Sequence, residues 1–395
     1  MPCYHGNVSP TSLSHRAKWT VLAAAITLCV LVAVLAVAGC SGGPGDGGGT
    51  GRALPIDPDS IPGGYGAGVN PTGDPIGGGE GYSRMVTSGM ADYVVSTGSG
   101  LLDALSRARS GDVVYVEDSA QIDLTGKKDI AVRAGVTLAS GRGRSGSTGA
   151  LLFANDTTAS GFPNLIEIGS GARVTGLRVR GPNGGTSRTF PLYSGLVAVG
   201  DEVEVDNCEI FNWPQSGAGV GDHHYGHFHH NYIHHCQADG FGYGVVVSGG
   251  TALIEANYFD YYRHAIAGAR GYPVSSYEAR YNLCGANATN TAFDMHGGND
   301  NPSWGFDEGP DADVPAGGTI LIHHNTFQAT GGNRISVGIR GVPTETCQVY
   351  ENWTYWESRY SADVFKQYVQ NLDLDAYVRM SVYDNWFGPE TPPAA

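Results

Sequence analysis

The sequence predicts an all-β fold, a right-handed parallel β-helix with a short N-terminal capping helix. Three observations carry the prediction: a glycine content that disfavours helices, a phrase ending in Asn that keeps returning, and a second apolar strand in each period. Of 395 residues 60 are Gly, which weakens helix interiors, while 41% hydrophobic residues with 21 Tyr and 12 Phe suffice to fill a core. The phrase is an alternating apolar run, then Asn, one residue, and a large apolar residue. It occurs at Asn207, Asn231, Asn257, Asn282, Asn325 and Asn385, the first four spaced 24, 26 and 25 residues apart. Short strands at a fixed period of this size signal a solenoid in which each repeat is one coil. Asn at one fixed place suits a sharp turn, where it tolerates left-handed geometry and stacks its amide on the next coil.

The second strand reads Leu196-Val197-Ala198-Val199, then Gly217 to Gly221, Gly244 to Ser248, Ala265 to Gly268, Phe293 to His296 and Val337 to Arg340. Aligned, these segments form one parallel wall whose inward positions are Val199, Val220, Val247, Met295 and Ile339. Its outward positions are small except for Asp294, His296 and Arg340. An open β-helix end must be covered. Ser99 to Arg109 offers an amphipathic helix with Ser99 as N-cap and Leu101, Leu102, Leu105 and Ala108 on one face. Asp363 to Leu372 reads as a second cap or as an excursion between coils.

The organisation is a lipoprotein signal peptide over residues 1–39, a Gly/Pro-rich linker over 40–81 and the β-helix over 82–390. Arg16 and Lys18 precede an uncharged apolar run that ends in Val37-Ala38-Gly39-Cys40, the pattern of a signal whose Cys40 receives a lipid; an uncleaved membrane anchor is the alternative. Either reading exports the rest of the chain. Residues 41–81 hold 16 Gly and 6 Pro, too little apolar content to pack. The formal charge of −15, with no basic stripe, excludes a nucleic-acid binder. Cys208, Cys236, Cys284 and Cys347 remain in the body as free thiols or disulfides, without zinc-ligand spacing.

Leu101-Leu102-Asp103-Ala104-Leu105, Gly111-Asp112-Val113-Val114-Tyr115-Val116, Ala134 to Gly143 and Val174 to Pro182 resemble the opening coils of the pectate-lyase-like superfamily of right-handed β-helices. The resemblance covers roughly residues 85–390 and implies a carbohydrate-active or carbohydrate-binding protein on that scaffold. The pectate lyases' calcium-binding aspartates and catalytic arginine have no position-by-position match here.

A lyase acting on uronic acids needs a base, a positive group to neutralise the carboxylate and a proton donor. Arg270, Asp294, His296 and Arg340 supply these types at successive wall strands and are the candidate catalytic group. Asp222, His223 and His224, with Arg263, His264 and Trp304, are candidate substrate contacts. The stretch Gly297 to Gly318 interrupts the period and carries Asp300, Asp307, Glu308, Asp311 and Asp313, a candidate Ca²⁺ loop or a lid whose Trp304 stacks on a sugar. Seven His between 223 and 235 invite a metal reading, but His229 and His230 fill repeat positions that His323 and His324 also fill, which favours a scaffold role. The expected function is an exported, membrane-anchored monomer that cleaves an acidic polysaccharide by β-elimination. A glycoside hydrolase, needing two carboxylates about 5–9.5 Å apart, and a non-catalytic, adhesin-like glycan binder are the alternatives.

Overall fold

Each period of the sequence becomes one coil of three strands, and the coils stack into three parallel sheets of eleven, ten and nine strands. The computed structural model describes residues 64–156, 161–189, 192–298, 314–358, 364–368 and 377–392, all in the unit Thr50–Ala395. Within a coil the chain runs from the nine-stranded sheet through the eleven-stranded to the ten-stranded, as in Ser194–Ala198, Val203–Asp206 and Glu209–Phe211. Alternation sends Leu196, Ala218, Val245, Ile266, Phe293 and Val337 inward in register, all fully buried. The result is the right-handed parallel β-helix that the repeat predicts.

The corner between the eleven- and ten-stranded sheets is a two-residue turn. Its first residue has positive φ (His230, Ala256, Tyr281, His324, Glu351, Asp384) and its second is Asn231, Asn257, Asn282, Asn325, Asn352 or Asn385. Each Asn Oδ1 accepts the backbone N–H of the Asn one coil earlier, at 3.0 Å throughout. Asn207 departs from the predicted column. It takes the left-handed place itself (φ 53), and Cys208 stands in the column, its N–H donating to Asn231 Oδ1. Asn is at home in either position of such a turn, so the phrase alone does not fix which one it fills.

The first wall strand is also one residue out of the predicted phase. Ala198, not Val199, pairs with Val220 and faces the core. The helix spans Gly98–Arg107 and packs Leu101, Ala104 and Leu105 over the N-terminal end of the core. Its cap is Thr97 rather than Ser99: Thr97 is extended and its Oγ1 accepts the N–H of Gly100. At the other end, Phe365–Gln367 is a wall strand paired with Val337–Ile339, not a cap. All four body cysteines are free and buried.

Residues 64–81, expected to be linker, instead form a strap along the Asn corner, running opposite to the stacking direction. Gly66 N–H donates to Glu351 O, Gly77 N–H to Ala256 O, and Gly79 N–H to Asn207 Oδ1. The glycines are what permit this approach: a Cβ on Gly78 (φ +67) would lie 2.3 Å from His230 O. Composition registers the backbone freedom of such a segment but not the hydrogen-bonding corner that receives it. Among the described residues no helix is long and apolar enough to cross a bilayer, and the apolar run at 19–39 and Cys40 lie outside them.

Candidate functional site

The outer face of the wall carries uncharged residues in one column for four coils and then becomes charged. One column reads Val197, Gly219, Val246, Ala267, Asp294, Gly338, Lys366. Beside it Ala269 N–H donates to Val247 O, His296 N–H to Gly268 O, Arg340 N–H to Met295 O and Tyr368 N–H to Ile339 O, which stacks Ala269, His296, Arg340 and Tyr368 in a second column.

Asp294 is the hub. Its Oδ1 accepts from Arg340 Nε at 2.8 Å, and its Oδ2 lies 3.1 Å from His296 Nε2 and 3.3 Å from His264 Nε2. The side chain of Asp294 is 1% exposed, whereas His296 and Arg340 are 21% and 19% exposed. The carboxylate therefore lies behind His296 and Arg340, which are the solvent-facing groups of the cluster. Burial opposes ionisation of Asp294, but the Arg340 guanidinium and His296 outweigh it and hold the carboxyl well below the usual range.

His264, expected as a substrate contact, is fully buried beneath this cluster. Its Nδ1 lies 2.6 Å from Thr291 O, which only accepts, so Nδ1 carries the proton. Burial pushes the imidazole down to about 3, which leaves Nε2 turning a lone pair toward Asp294 Oδ2. Tyr243 stacks on the His264 ring, centroids 5.8 Å apart.

The remaining predicted residues separate. Arg263 is half-buried next to His264, its guanidinium 3.4 Å from Phe241 O. Arg270 stands two residues beyond the strand His264–Gly268, half-buried. Asp222, His223 and His224 follow the strand Ser216–Val220, three coils before Asp294, about 14 Å at roughly 4.8 Å per coil. Trp304, Asp300, Asp307, Glu308, Asp311 and Asp313 lie outside the described residues, as does the Ca²⁺ loop they were expected to form. The chain leaves for that stretch at Gly298, two residues after His296, and returns at Val314, whose O accepts the Gly298 N–H at 2.9 Å.

The chain is similar in structure to alginate lyase from Paenibacillus sp. str. FPU-7, with 14% identity over 75% of this chain and 95% of that chain and a TM-score of 0.42. It is similar to ORF18 of Geobacillus virus E2, with 10% identity over 65% of this chain and 49% of that one and a TM-score of 0.39. A third likeness is to the Agl-KA catalytic domain, with 10% identity, 73% and 64% covered and a TM-score of 0.28. No protein-family model matches the chain, and no curated protein matches it.

Sequence reasoning missed Lys366 and Tyr368, which continue the two charged columns by one coil; Lys366 Nζ sits 4.9 Å from the Tyr368 ring centroid. The signal was faint because only one of the strand's two inward residues, Phe365, is apolar and the other is Gln367. Its amide is satisfied by Gly341 O, Val378 O and the Val378 N–H, so a polar side chain fills a core position without an orphaned group.

Proposed function

We propose that the charged end of the wall binds an acidic polysaccharide and cleaves it by β-elimination. The observation that carries this reading is the convergence of solvent-reaching His296 and Arg340 on buried Asp294, directly after four coils whose outward column, Val197 to Ala267, is uncharged. A uronate carboxylate lies against Arg340 and Lys366, which neutralise it and acidify the neighbouring C–H. His296, oriented by Asp294, takes that proton; the double bond forms as the C–O bond to the leaving sugar breaks, and the Tyr368 hydroxyl protonates the leaving oxygen. Arg270, one coil earlier, adds positive charge at the approach. The uncharged floor of Gly219, Val246 and Ala267 offers about 10–14 Å, room for two or three sugar units.

A hydrolase fits less well. Asp294 is withdrawn from solvent and matched by cations, and Asp222 is farther away than the carboxylate pair of a hydrolase allows. A glycan-binding protein is the second reading, favoured by one observation: Arg340 already spends a hydrogen bond on Asp294. The signal at residues 1–40 supports export and lipid attachment at Cys40.

Incubating the purified chain with alginate and polygalacturonate while following the ultraviolet absorbance of unsaturated uronate ends tests the reading. New absorbance supports elimination. Reducing ends without absorbance mean hydrolysis, and retention on the polymer with neither means binding.

A further inference from the structure

The outer face of the eleven-stranded sheet carries a second cluster, remote from the wall. Glu204 precedes it by one coil, and His227 and His229 stand two residues apart on the strand Tyr225–His229, so both point outward. Their donor atoms all lie within 4.8 Å of one another. We propose that Glu204, His227 and His229 form a binding site for one divalent transition-metal ion, with zinc as the natural occupant.

Among the described residues one His–Glu motif occurs three times. A His of one coil turns its Nε2 to a Glu of the preceding coil and its Nδ1 to the Nδ1 of the next His. The instances are Glu204 with His229 and His230, Glu209 with His234 and His235, and Glu278 with His323 and His324. The recurrence marks the motif as scaffold, as the sequence suggested for His229 and His230. The position two residues before the first His differs in each: Tyr232, Leu321 and, in the first instance, His227. An imidazole there is not required by the corner. Moreover, the Nε2 of His227 is buried and makes no hydrogen bond: Glu255 Oε1, 3.7 Å away, meets it only at ion-pair distance.

Two imidazoles and one carboxylate suit zinc or cobalt rather than calcium or magnesium. Around a tetrahedral ion with bonds of about 2.0 Å, ligand atoms stand roughly 3.3 Å apart, so modest side-chain rotation closes the present cluster. His229 and Glu204 are already 2.9 Å apart, sharing a proton that the ion replaces. The hydrogen bonds behind them accommodate this. With the ion on Nε2, His229 donates from Nδ1 to His230 Nδ1, 2.8 Å away, and His230 Nε2 donates to Thr72 Oγ1 of the strap at 3.0 Å. Arg84 grips both carboxylate oxygens of Glu204, so its Nη1 must yield Oε1 to the ion while its Nη2 and Arg173 keep Oε2, and Arg280 holds Glu255. Glu204, Asp206, Glu255 and Glu278 outnumber those three cations by one (4 − 3), so the neighbourhood is negative before an ion arrives.

The test is titration of the tag-free full chain with Co²⁺ and Zn²⁺, followed by calorimetry and by the visible absorption of bound Co²⁺. We expect one equivalent in the wild type. His227→Leu, which copies the residue of the sister coil, should stay folded and lose at least about 100-fold in affinity. His227→Gln, which keeps a polar group of similar length, should lose it too. A wild-type chain that takes up no ion, or variants that bind as tightly as the wild type, overturns the site. Neither outcome depends on activity at the wall.

Discussion

Asn257 Oδ1 accepts both the backbone N–H and the side-chain Nδ2 of Asn231, each at 3.0 Å, while its own Nδ2 reaches back to Phe228 O at 2.8 Å. One amide thus closes a turn and ties two coils, in a corner without solvent. Asn257→Ala leaves a buried backbone N–H and a buried C=O without partners. At about 1–3 kcal/mol for each unpaired group, the loss should show as a lower urea midpoint at an unchanged slope.

Removal of the groove imidazole should separate chemistry from folding. If the chain is a lyase, His296→Ala lowers kcat by about 10²–10⁴ on the polymer that the wild type cleaves, with the far-ultraviolet circular dichroism unchanged. Full activity in that variant removes His296 from the mechanism.

Arg340 and Lys366 should act on recognition. Lys366→Ala, whose side chain is half-buried on the outer face, should raise KM for a uronate polymer and leave binding of a neutral glucan unaltered. Arg340→Ala should do the same and, by leaving Asp294 short of its guanidinium partner, also lower the thermal midpoint. Equal effects on charged and neutral polymers would argue against carboxylate recognition.

Acid should destabilise the fold in two stages. Burial lowers His264 to about 3 and His230 to about 4, so between these values and about 6.5 the unfolded chain takes up protons that the folded chain refuses, and stability falls as pH falls through that window. Glu209 and Glu255 are also held down, each to about 2. Burial works against their ionisation and is outweighed by His234 and Arg178 at Glu209, and by His227 and Arg280 at Glu255. Their contribution is complete above about 4.5 and is lost below it, which steepens the decline. Thermal midpoints measured from pH 8 to pH 3 should fall in that order; a flat profile down to pH 5 would contradict the buried neutral histidines.

The strap can be addressed through one glycine. Gly78→Ala places a Cβ against His230 O and Asn207 Oδ1 at a positive φ, so the segment should detach over several residues. Limited proteolysis should then cut within residues 64–81, where the wild type resists.

The fold was legible because a stacked coil repeats its demands: inward apolar residues, a left-handed corner, an amide in the column. Phase within a strand was legible only where the two faces differ. Leu196-Val197-Ala198-Val199 is apolar on both, so alternation could not choose between Ala198 and Val199. Asp294, His296 and Arg340 stood out as charges among small residues. Lys366 and Tyr368 did not, because polar Gln367 hides the strand they flank. His264 was read as a surface group because sequence shows which residue follows a turn, not that Tyr243 and Asp294 enclose it.

The strap also sets an order of events in folding. Ala67 donates its N–H to Thr326 Oγ1, 259 residues later in the chain. Every coil beneath the strap is synthesised after it, and its later partners, Glu351 and Trp386, whose ring lies 5.9 Å from that of Tyr65, come near the end. Local coil-on-coil contacts close short loops and form early, whereas this contact closes one of the longest loops the chain permits. The strap is therefore a latch that engages after the solenoid is built. Until then the Asn corner is exposed to water and to other chains, and the time between stacking and latching is when this protein is most vulnerable to misassembly.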